Sequence, residues 1–236
     1  MAVVLDGGCR VSTMSEGSPQ AFGSLKVWNQ IDKATGADAI SLRILEFGPG
    51  TSPVLRNQEF DEVLYLLEGS CTVVIDGEAS ELGADTGVYV RPEQTLRVEN
   101  AEIVRFVSSQ SPKESSERKQ SPSIVKLSDQ RAMPTADRWY RVLIDREVTQ
   151  FVGSIPPGRA PDHFHEYEEV LFILHGEGRM WAGESNTPIG PGSCIYLPRR
   201  QPHCVENTGT GELRLLGVFY PAGSPSVRYE AADDAD

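Results

Sequence analysis

An internal repeat is the feature that most constrains the fold of this chain. Residues 62–69 read EVLYLLEG and residues 169–176 read EVLFILHG, so five of eight positions are identical at a spacing of 107 residues. Residues 98–100 and 205–207, both Val-Glu-Asn, lie at the same spacing. A repeat of this kind indicates a tandem duplication, in which each copy forms one structural unit.

A polar segment between the two copies divides the chain. Residues 111–123 read SPKESSERKQSPS and contain no apolar residue, which is typical of a solvated linker. The last residues read EAADDAD and predict an acidic tail. We therefore predict an N-terminal domain over residues 1–110, a linker over 111–123, a C-terminal domain over 124–230 and a tail over 231–236.

Each copy has the pattern of short strands joined by tight turns. Short runs rich in Val, Ile, Leu and Tyr alternate with turn residues, and the chain contains 22 Gly and 16 Pro. We align Gly87 with Gly192 as turn glycines, and either residues 132–140 or the N-terminal arm allows one short helix. Because a closed barrel removes the exposed edges of such strands, we expect an all-β protein with one small barrel per copy.

Charge and composition exclude several classes of function. The formal net charge of −12 opposes binding to nucleic-acid phosphates. No apolar run approaches the roughly 18–20 residues that a membrane span needs, and no signal peptide is visible. The four cysteines include no CxxC motif, which indicates a reduced, cytoplasmic protein. We expect a monomer or a homodimer that binds a small-molecule substrate, with no nucleic-acid or membrane partner.

Three of the four histidines form a pattern in the second copy. His163 and His165 are two residues apart, so in a strand both project from the same face. Glu169 begins the next predicted strand, and His203 follows a Pro-rich turn. Three imidazoles and one carboxylate that meet inside a barrel predict a site for one divalent transition metal: Fe, Mn, Ni, Cu, Co or Zn. An octahedral ion would keep two adjacent positions for water, O₂ or a bidentate substrate. The alternative is that the HxH pair is an ordinary surface or hydrogen-bonded pair.

These residues also carry a resemblance to a known family. The first stretch resembles the first cupin motif, with one residue fewer than usual between Gly and His: Gly158-x₄-His163-x-His165-x₃-Glu169-x₆-Gly176. The second stretch resembles the second cupin motif and departs from it at Arg200, where glycine is usual: Gly192-x₅-Pro198-x₄-His203-x₃-Asn207. The resemblance implies two tandem cupin barrels, of the double-stranded β-helix or jelly-roll type. It also implies that His163, His165, Glu169 and His203 ligate the ion.

The first copy lacks this ligand set. The positions that match the four ligands are Leu55, Asn57, Glu62 and Leu96. Leucine cannot ligate, so we expect the N-terminal barrel to bind no transition metal. It would serve instead as a packing partner, a lid or a second ligand pocket.

Four further residues are candidates for the substrate pocket. Leu171 and Ile173 share a strand face with Glu169 if that strand is regular, and would give the pocket apolar walls. Arg179 and Tyr196 lie on neighbouring predicted strands, where one bulge would reverse the direction of the side chains.

Three functions remain open. The first is a metal-dependent enzyme of the dioxygenase type, in which Glu169 acts as a base; the similarity to quercetinases and gentisate dioxygenases favours it. The second is a non-oxidative metalloenzyme: a decarboxylase, isomerase, hydrolase or lyase. Oxalate decarboxylases resemble the chain in architecture but commonly keep ligands in both barrels. Ureidoglycine aminohydrolases resemble it in size but differ in their metal ligands. The third is a cupin that binds a small ligand without catalysis.

Overall fold

The computed structural model describes residues 1–113 and 123–226, and the backbone of residues 229–230. Residues 114–122, most of the predicted linker, and the predicted tail over 231–236 lie outside the described residues. The start of the linker is structured, because the last strand of the first barrel extends to Pro112. The prediction of an all-β fold with two cupin-type barrels is confirmed.

Residues 1–113 form thirteen strands. They are β1 (Val3–Val4), β2 (Arg10–Thr13), β3 (Gln20–Phe22), β4 (Leu25–Ile31), β5 (Leu42–Phe47), β6 (Gly50–Thr51), β7 (Leu55–Arg56), β8 (Phe60–Glu68), β9 (Ser70–Ile75), β10 (Glu78–Gly83), β11 (Thr86–Val90), β12 (Thr95–Asn100) and β13 (Val104–Pro112).

The strands after the linker follow the same plan. They are β14 (Ile124–Lys126), β15 (Met133–Thr135), β16 (Arg138–Asp145), β17 (Thr149–Ile155), β18 (Gly158–Arg159), β19 (His163–Phe164), β20 (Glu168–His175), β21 (Gly178–Ala182), β22 (Ser185–Ile189), β23 (Ser193–Leu197), β24 (His203–Asn207), β25 (Leu213–Tyr220) and β26 (Tyr229–Glu230). Three short 3₁₀ helices complete the described elements: Asp6–Gly8, Lys33–Thr35 and Leu127–Asp129.

Each barrel consists of a large and a small sheet. In the N-terminal barrel the large sheet has the order β14-β11-β8-β13-β5-β4-β3, and the small sheet has β10-β9-β12-β6 with β7 beside β12. In the C-terminal barrel the orders are β1-β2-β23-β20-β25-β17-β16-β15 and β22-β21-β24-β19-β26, with β18 beside β24. Neighbouring strands pair antiparallel, as expected for short strands connected by tight turns.

Three apolar cores hold the molecule together. One core lies inside each barrel, and Phe47 and Phe219 are fully buried examples from the two interiors. The third core lies between the two large sheets and combines residues of both copies, including Tyr65 and Val152. The barrels therefore pack face to face through their large sheets.

The barrels exchange edge strands across the two predicted domains. Strand β2 of the first copy pairs with β23 of the second, where Val11 lies opposite Ile195. Strand β14, which follows the linker, pairs with β11 of the first barrel, where Val125 lies opposite Gly87. Each exchange covers a sheet edge that would otherwise present unpaired backbone groups. The domains over residues 1–110 and 124–230 stay a prediction, and each pairs one of its strands with the large sheet of the other.

Two local predictions are wrong. Residues 132–140 form the β15–β16 hairpin rather than a helix. The residue equivalent to Gly192 is Asp85 rather than Gly87, because the backbone N–H of each donates to the matching strand, at Leu66 and Ile173 respectively. Asp85 (φ 61°) and Gly192 (φ 86°) share the left-handed backbone conformation.

Candidate metal centre

The three predicted histidine ligands meet inside the C-terminal barrel. His163 on β19 lies directly opposite His203 on β24, and His165 is the first residue after β19. One ring nitrogen from each histidine lies within 4.8 Å of the others. His165 and His203 are buried, and His163 is half-buried and faces the opening. This arrangement is the one expected from two strand positions on one face and a third strand beside them.

Backbone carbonyl groups orient two of the imidazole rings. Nδ1 of His203 lies 2.8 Å from the carbonyl oxygen of Gln201, and Nδ1 of His163 lies 3.2 Å from that of Pro161. A ring whose Nδ1 donates to a carbonyl offers its Nε2 as a ligand. Nε2 is therefore the atom through which these two residues could hold a metal ion.

Glu169 supplies a carboxylate next to the histidines. It lies near the start of β20, is 5% exposed, and its Oε2 is 3.6 Å from Nε2 of His165. Two ligand atoms bound at right angles to one ion at ~2.1 Å would be ~3 Å apart. The observed distance therefore fits a shared ion after a small side-chain adjustment.

Burial keeps His203 in its ligating protonation state. The loss of hydration, together with the positive charges that His163 and His165 would carry, lowers the pKa of His203 to about 3. The ordinary value is ~6.5, so burial favours the neutral ring. Neutral imidazole is the form that binds a metal. A cluster of three imidazoles beside a buried carboxylate thus fits a divalent transition metal ion.

An aromatic stack packs against the ring of His165. The ring of Tyr167 lies parallel to the ring of His165 at 4.6 Å between centroids. On its other face, Tyr167 stacks on Phe219 at 4.2 Å. Phe219 is fully buried, so this stack restrains the orientation of His165.

A cavity of about 100 Å³ leads to the histidines and Glu169. Its remaining lining residues are mostly apolar or aromatic: Thr135, Arg138, Trp139, Tyr140, Phe151, Gly153, Ser154, Ile155, Leu171, Leu197, Val205, Leu215 and Pro225. Leu171 is therefore placed where the sequence predicts it. Ile173 also points into the barrel, but it is completely buried in the core and does not line the cavity.

The other two predicted pocket residues point away from the cavity. Tyr196 lies in the core between the barrels, where its hydroxyl donates to Glu168. Arg179 is on the outer face of β21 and donates to Asn186. The reason is strand parity: Leu197 on β23 and Met180 on β21 occupy the inner face, so their neighbours point outward.

Arg138 is a cavity residue that the sequence prediction missed. It follows the turn of the β15–β16 hairpin, and its side chain is 13% exposed. Among the described lining residues it is the one arginine or lysine, and Trp139 and Tyr140 follow it on the same strand. A hairpin signal over these residues would have indicated them, but the segment was interpreted as a short helix.

The strand pairing shows which residues of the N-terminal barrel correspond to the predicted ligands. Leu55 on β7 lies opposite Leu96 on β12, as His163 lies opposite His203. Glu62 occupies the place of Glu169, since Gln110 and Phe219 lie opposite these two glutamates. In the parts of the chain that the structure describes, the histidine triad is the only group of three or more potential ligand residues close enough to hold an ion.

Comparisons with known proteins agree with this architecture. The family model described as a cupin domain matches residues 151–219, the stretch that contains all four predicted ligands. An oxalate-binding protein of Thermotoga maritima is 35% identical over 68 residues, which cover 28% of this chain and 56% of that protein. The chain spans about half the length of the curated relatives it matches.

Two solved structures are similar over nearly the whole chain. Protein Ylba of E. coli has a TM-score of 0.79 at 13% identity and covers 96% of each chain. A mutant of Bacillus subtilis oxalate decarboxylase has a TM-score of 0.74 at 13% identity, with 90% of this chain and 77% of that chain covered. No described helix has the length and apolar character that a membrane span requires. Residues 151–219 therefore form a cupin domain, and the chain as a whole has the fold of two cupin-type barrels in tandem.

Proposed function

We propose that this chain is a small-molecule enzyme that uses one divalent metal ion held by His163, His165, Glu169 and His203. The observation that carries the proposal is the convergence of three imidazole nitrogens within 4.8 Å at the end of a cavity. A divalent ion bound there supplies Lewis acidity, and iron or copper would add the redox chemistry that O₂ requires.

The first reaction we propose is of the dioxygenase type, on a chelating enol, catechol or thiol. The cavity walls support it, because apolar residues such as Phe151, Leu171 and Leu215 exclude water from the reacting groups. Glu169 is the only carboxylate among the described lining residues. We assign to it the proton that the substrate loses when it binds.

A non-oxidative reaction at the same site is the second candidate. Arg138 favours it, because a guanidinium in an apolar cavity is suited to a substrate carboxylate. Two proteins similar to this chain are named for oxalate, a small dicarboxylate. Decarboxylation, isomerisation, hydrolysis or elimination of a small carboxylic acid would use the same four ligands.

Metal analysis followed by activity assays tests the proposal. The purified chain should contain close to one equivalent of metal, and His165→Ala should lose it. The chain is then stripped with a chelator, reloaded with Fe(II) and supplied with diketones, catechols and flavonols while O₂ is recorded. Consumption of O₂ is expected with at least one of them. Small carboxylic acids, supplied without O₂ to the Mn(II) and Zn(II) forms, test the second candidate.

A substitution of Glu169 tests whether its carboxylate acts as the general base. Glu169→Gln should lower turnover by about 100-fold or more, as expected for a general base. Glu206→Gln is the matched control, because Glu206 lies on β24 with His203 but accepts a hydrogen bond from Trp181 on the outer face. Saturable ligand binding without turnover of any substrate would show a non-catalytic cupin and contradict the enzymatic proposal.

We also propose a reducing, cytoplasmic location and a monomeric or homodimeric state. All four cysteines are free and buried, as in proteins that never meet an oxidising compartment. The two barrels already cover each other's large sheets within one chain, so a partner subunit is not needed to bury them. Sedimentation analysis would distinguish the two oligomeric states.

A further inference from the structure

The N-terminal barrel contains a second cavity, of about 250 Å³. Its apolar lining residues are Phe22, Leu25, Val27, Leu45, Leu55, Val90 and Leu96, and its polar ones are Arg43, Arg56, Asn57, Glu62, Gln94 and Gln110. It is larger than the cavity at the histidines, for which the corresponding volume is about 100 Å³. Phe22 at its edge is 52% exposed. The barrel without metal ligands is therefore not filled by side chains.

A hydrogen-bonded ion pair occupies the polar side of this cavity. Nη2 of Arg43 donates to Oε1 of Glu62 at 2.6 Å, and the hydroxyl of Ser108 donates to the same oxygen at 2.6 Å. Nε2 of Gln110 donates to Oε2 at 3.2 Å. The side chains of Arg43 and Glu62 are 22% and 12% exposed, so the pair is only partly hydrated.

Two other polar residues of the lining are used by turns. The side-chain oxygen of Asn57 accepts the backbone N–H of Phe60. Gln94 accepts the backbone N–H of Arg91 and donates to Asp76. The remaining polar residue, Arg56, is exposed and lies close enough to Asp76 for its charge to lower the pKa of that carboxyl. Recognition of a ligand would therefore fall mainly to the ion pair and Gln110.

The ion pair keeps unused hydrogen-bonding capacity on both partners. A carboxylate accepts about four hydrogen bonds, and three to Glu62 are accounted for, only one of them at Oε2. A guanidinium has five N–H donors, and the hydrogen bonds that Arg43 makes to Glu62 and Ser108 both come from Nη2, so Nη1 keeps its donors for a ligand. A donor and an acceptor thus lie side by side with no net charge.

This combination selects for an uncharged head group. A ligand carboxylate would gain from Arg43 but be repelled by Glu62, and an ammonium group would meet the reverse. A primary carboxamide or a urea can accept from Arg43 through its oxygen and donate to Glu62 through its N–H. We propose that the N-terminal barrel is a second ligand site, for a small neutral molecule with a carboxamide-type head and an apolar body.

Benzamide is a suitable probe, because it has a carboxamide head and an apolar ring. Ligand-observed NMR titrations of the full chain compare it with benzoate and benzylammonium, which match its size but carry opposite charges. Benzamide should bind saturably and at least about fivefold more tightly than either ion. Failure to reach saturation at millimolar benzamide would overturn the proposal. An equal affinity for benzoate or benzylammonium would overturn it as well.

Variants locate the binding site. Arg43→Met should weaken benzamide binding at least about tenfold, whereas Arg97→Met, which removes an exposed ion pair of the same barrel, should not. Leu55→Trp leaves the ion pair in place and should reduce binding as strongly by filling the cavity. This second variant keeps the test valid if Arg43→Met fails to fold.

A variant of the C-terminal barrel provides the last control. His203→Ala should leave benzamide affinity unchanged, because the proposed site does not depend on the metal. Loss of benzamide binding in His203→Ala with unchanged binding in Arg43→Met would place the ligand at the histidines and contradict the proposal. The benzamide affinities of these variants do not depend on whether the C-terminal barrel is catalytic.

Discussion

The two barrels solve one electrostatic problem in two ways. Each has a glutamate at the same place, Glu62 or Glu169, and each glutamate is mostly buried. In the C-terminal barrel, three histidines stand beside the carboxylate and fit a metal ion. In the N-terminal barrel, the guanidinium of Arg43 takes the place of that ion, at 2.6 Å from Glu62. A buried carboxylate needs a partner of opposite charge. In the N-terminal barrel this partner is Arg43, and in the C-terminal barrel a metal ion would serve.

The difference between the two barrels extends beyond the ligand positions to residues on two further strands. Arg43 corresponds to Phe151, because these residues lie opposite Ser108 and Gly217 on equivalent strands. A Cβ atom at Gly217 would come within 2.3 Å of the Phe151 ring, so the phenylalanine requires the glycine. In the other barrel, Ser108 donates to Glu62. The loss of the histidines is therefore accompanied by a matching set of polar residues.

Removal of one side chain at equivalent positions gives the largest predicted effect. His203→Ala should lower metal affinity at least about 100-fold, because it removes a ligand rather than an outer contact. Leu96→Ala should leave metal content unchanged but lower the free energy of unfolding by about 2–5 kcal/mol, as expected for a buried leucine. Metal analysis and denaturant unfolding measure the two effects. Full metal content in His203→Ala would show that the triad is not the site.

A graft of the metal ligands onto the N-terminal barrel tests the role of Arg43. Leu55→His, Asn57→His and Leu96→His together restore the histidines but leave Glu62 paired with Arg43. We expect only weak binding of a second ion. Addition of Arg43→Phe and Ser108→Gly should strengthen it by about 10–100-fold, the range of effects seen for groups that support metal ligands.

Metal titration of the two grafted variants gives the measurement. The stoichiometry should rise toward two ions per chain in the variant with all five substitutions. Equally tight binding by the three-histidine variant would show that Arg43 does not replace the ion.

The sequence predicts what depends on local pattern and repetition. The repeat and the HxH spacing indicate two barrels and one ligand set, and both follow from strand periodicity. The exchange of β2 and β14 was not predicted, because a strand's partner depends on the packing of whole sheets. Tyr196 was misplaced for a related reason: its neighbour Leu197 occupies the inner face, and only the register of β23 against β20 shows this.

The two copies also explain why part of the family motif is structural. Asn207 donates to the carbonyl oxygens of Ile155 and Gly211, and Asn100 donates to the carbonyls of Phe47 and Gly48 at the equivalent place. Since Asn100 belongs to the barrel without histidines, this part of the motif closes a loop rather than binding a metal. Sequence comparison alone does not separate these two roles.

The smallest predicted effect concerns the motif glycine that this chain replaces. Arg200 adopts φ 62°, the left-handed conformation that favours glycine, and its backbone N–H donates to the carbonyl of His165 at 2.7 Å. Arg200→Gly should relieve about 1 kcal/mol of backbone strain. It should also lose an exposed ion pair to Glu166 and raise the entropy of the unfolded chain. The free energy of unfolding should therefore rise by less than about 1 kcal/mol, and metal affinity should not change.

Arg199→Gly is the control variant. It removes the same type of side chain from a position without a positive φ and should destabilise the chain. Equal denaturation midpoints for the two variants would show that the left-handed conformation of Arg200 carries no cost, and that the chain departs from the family glycine freely.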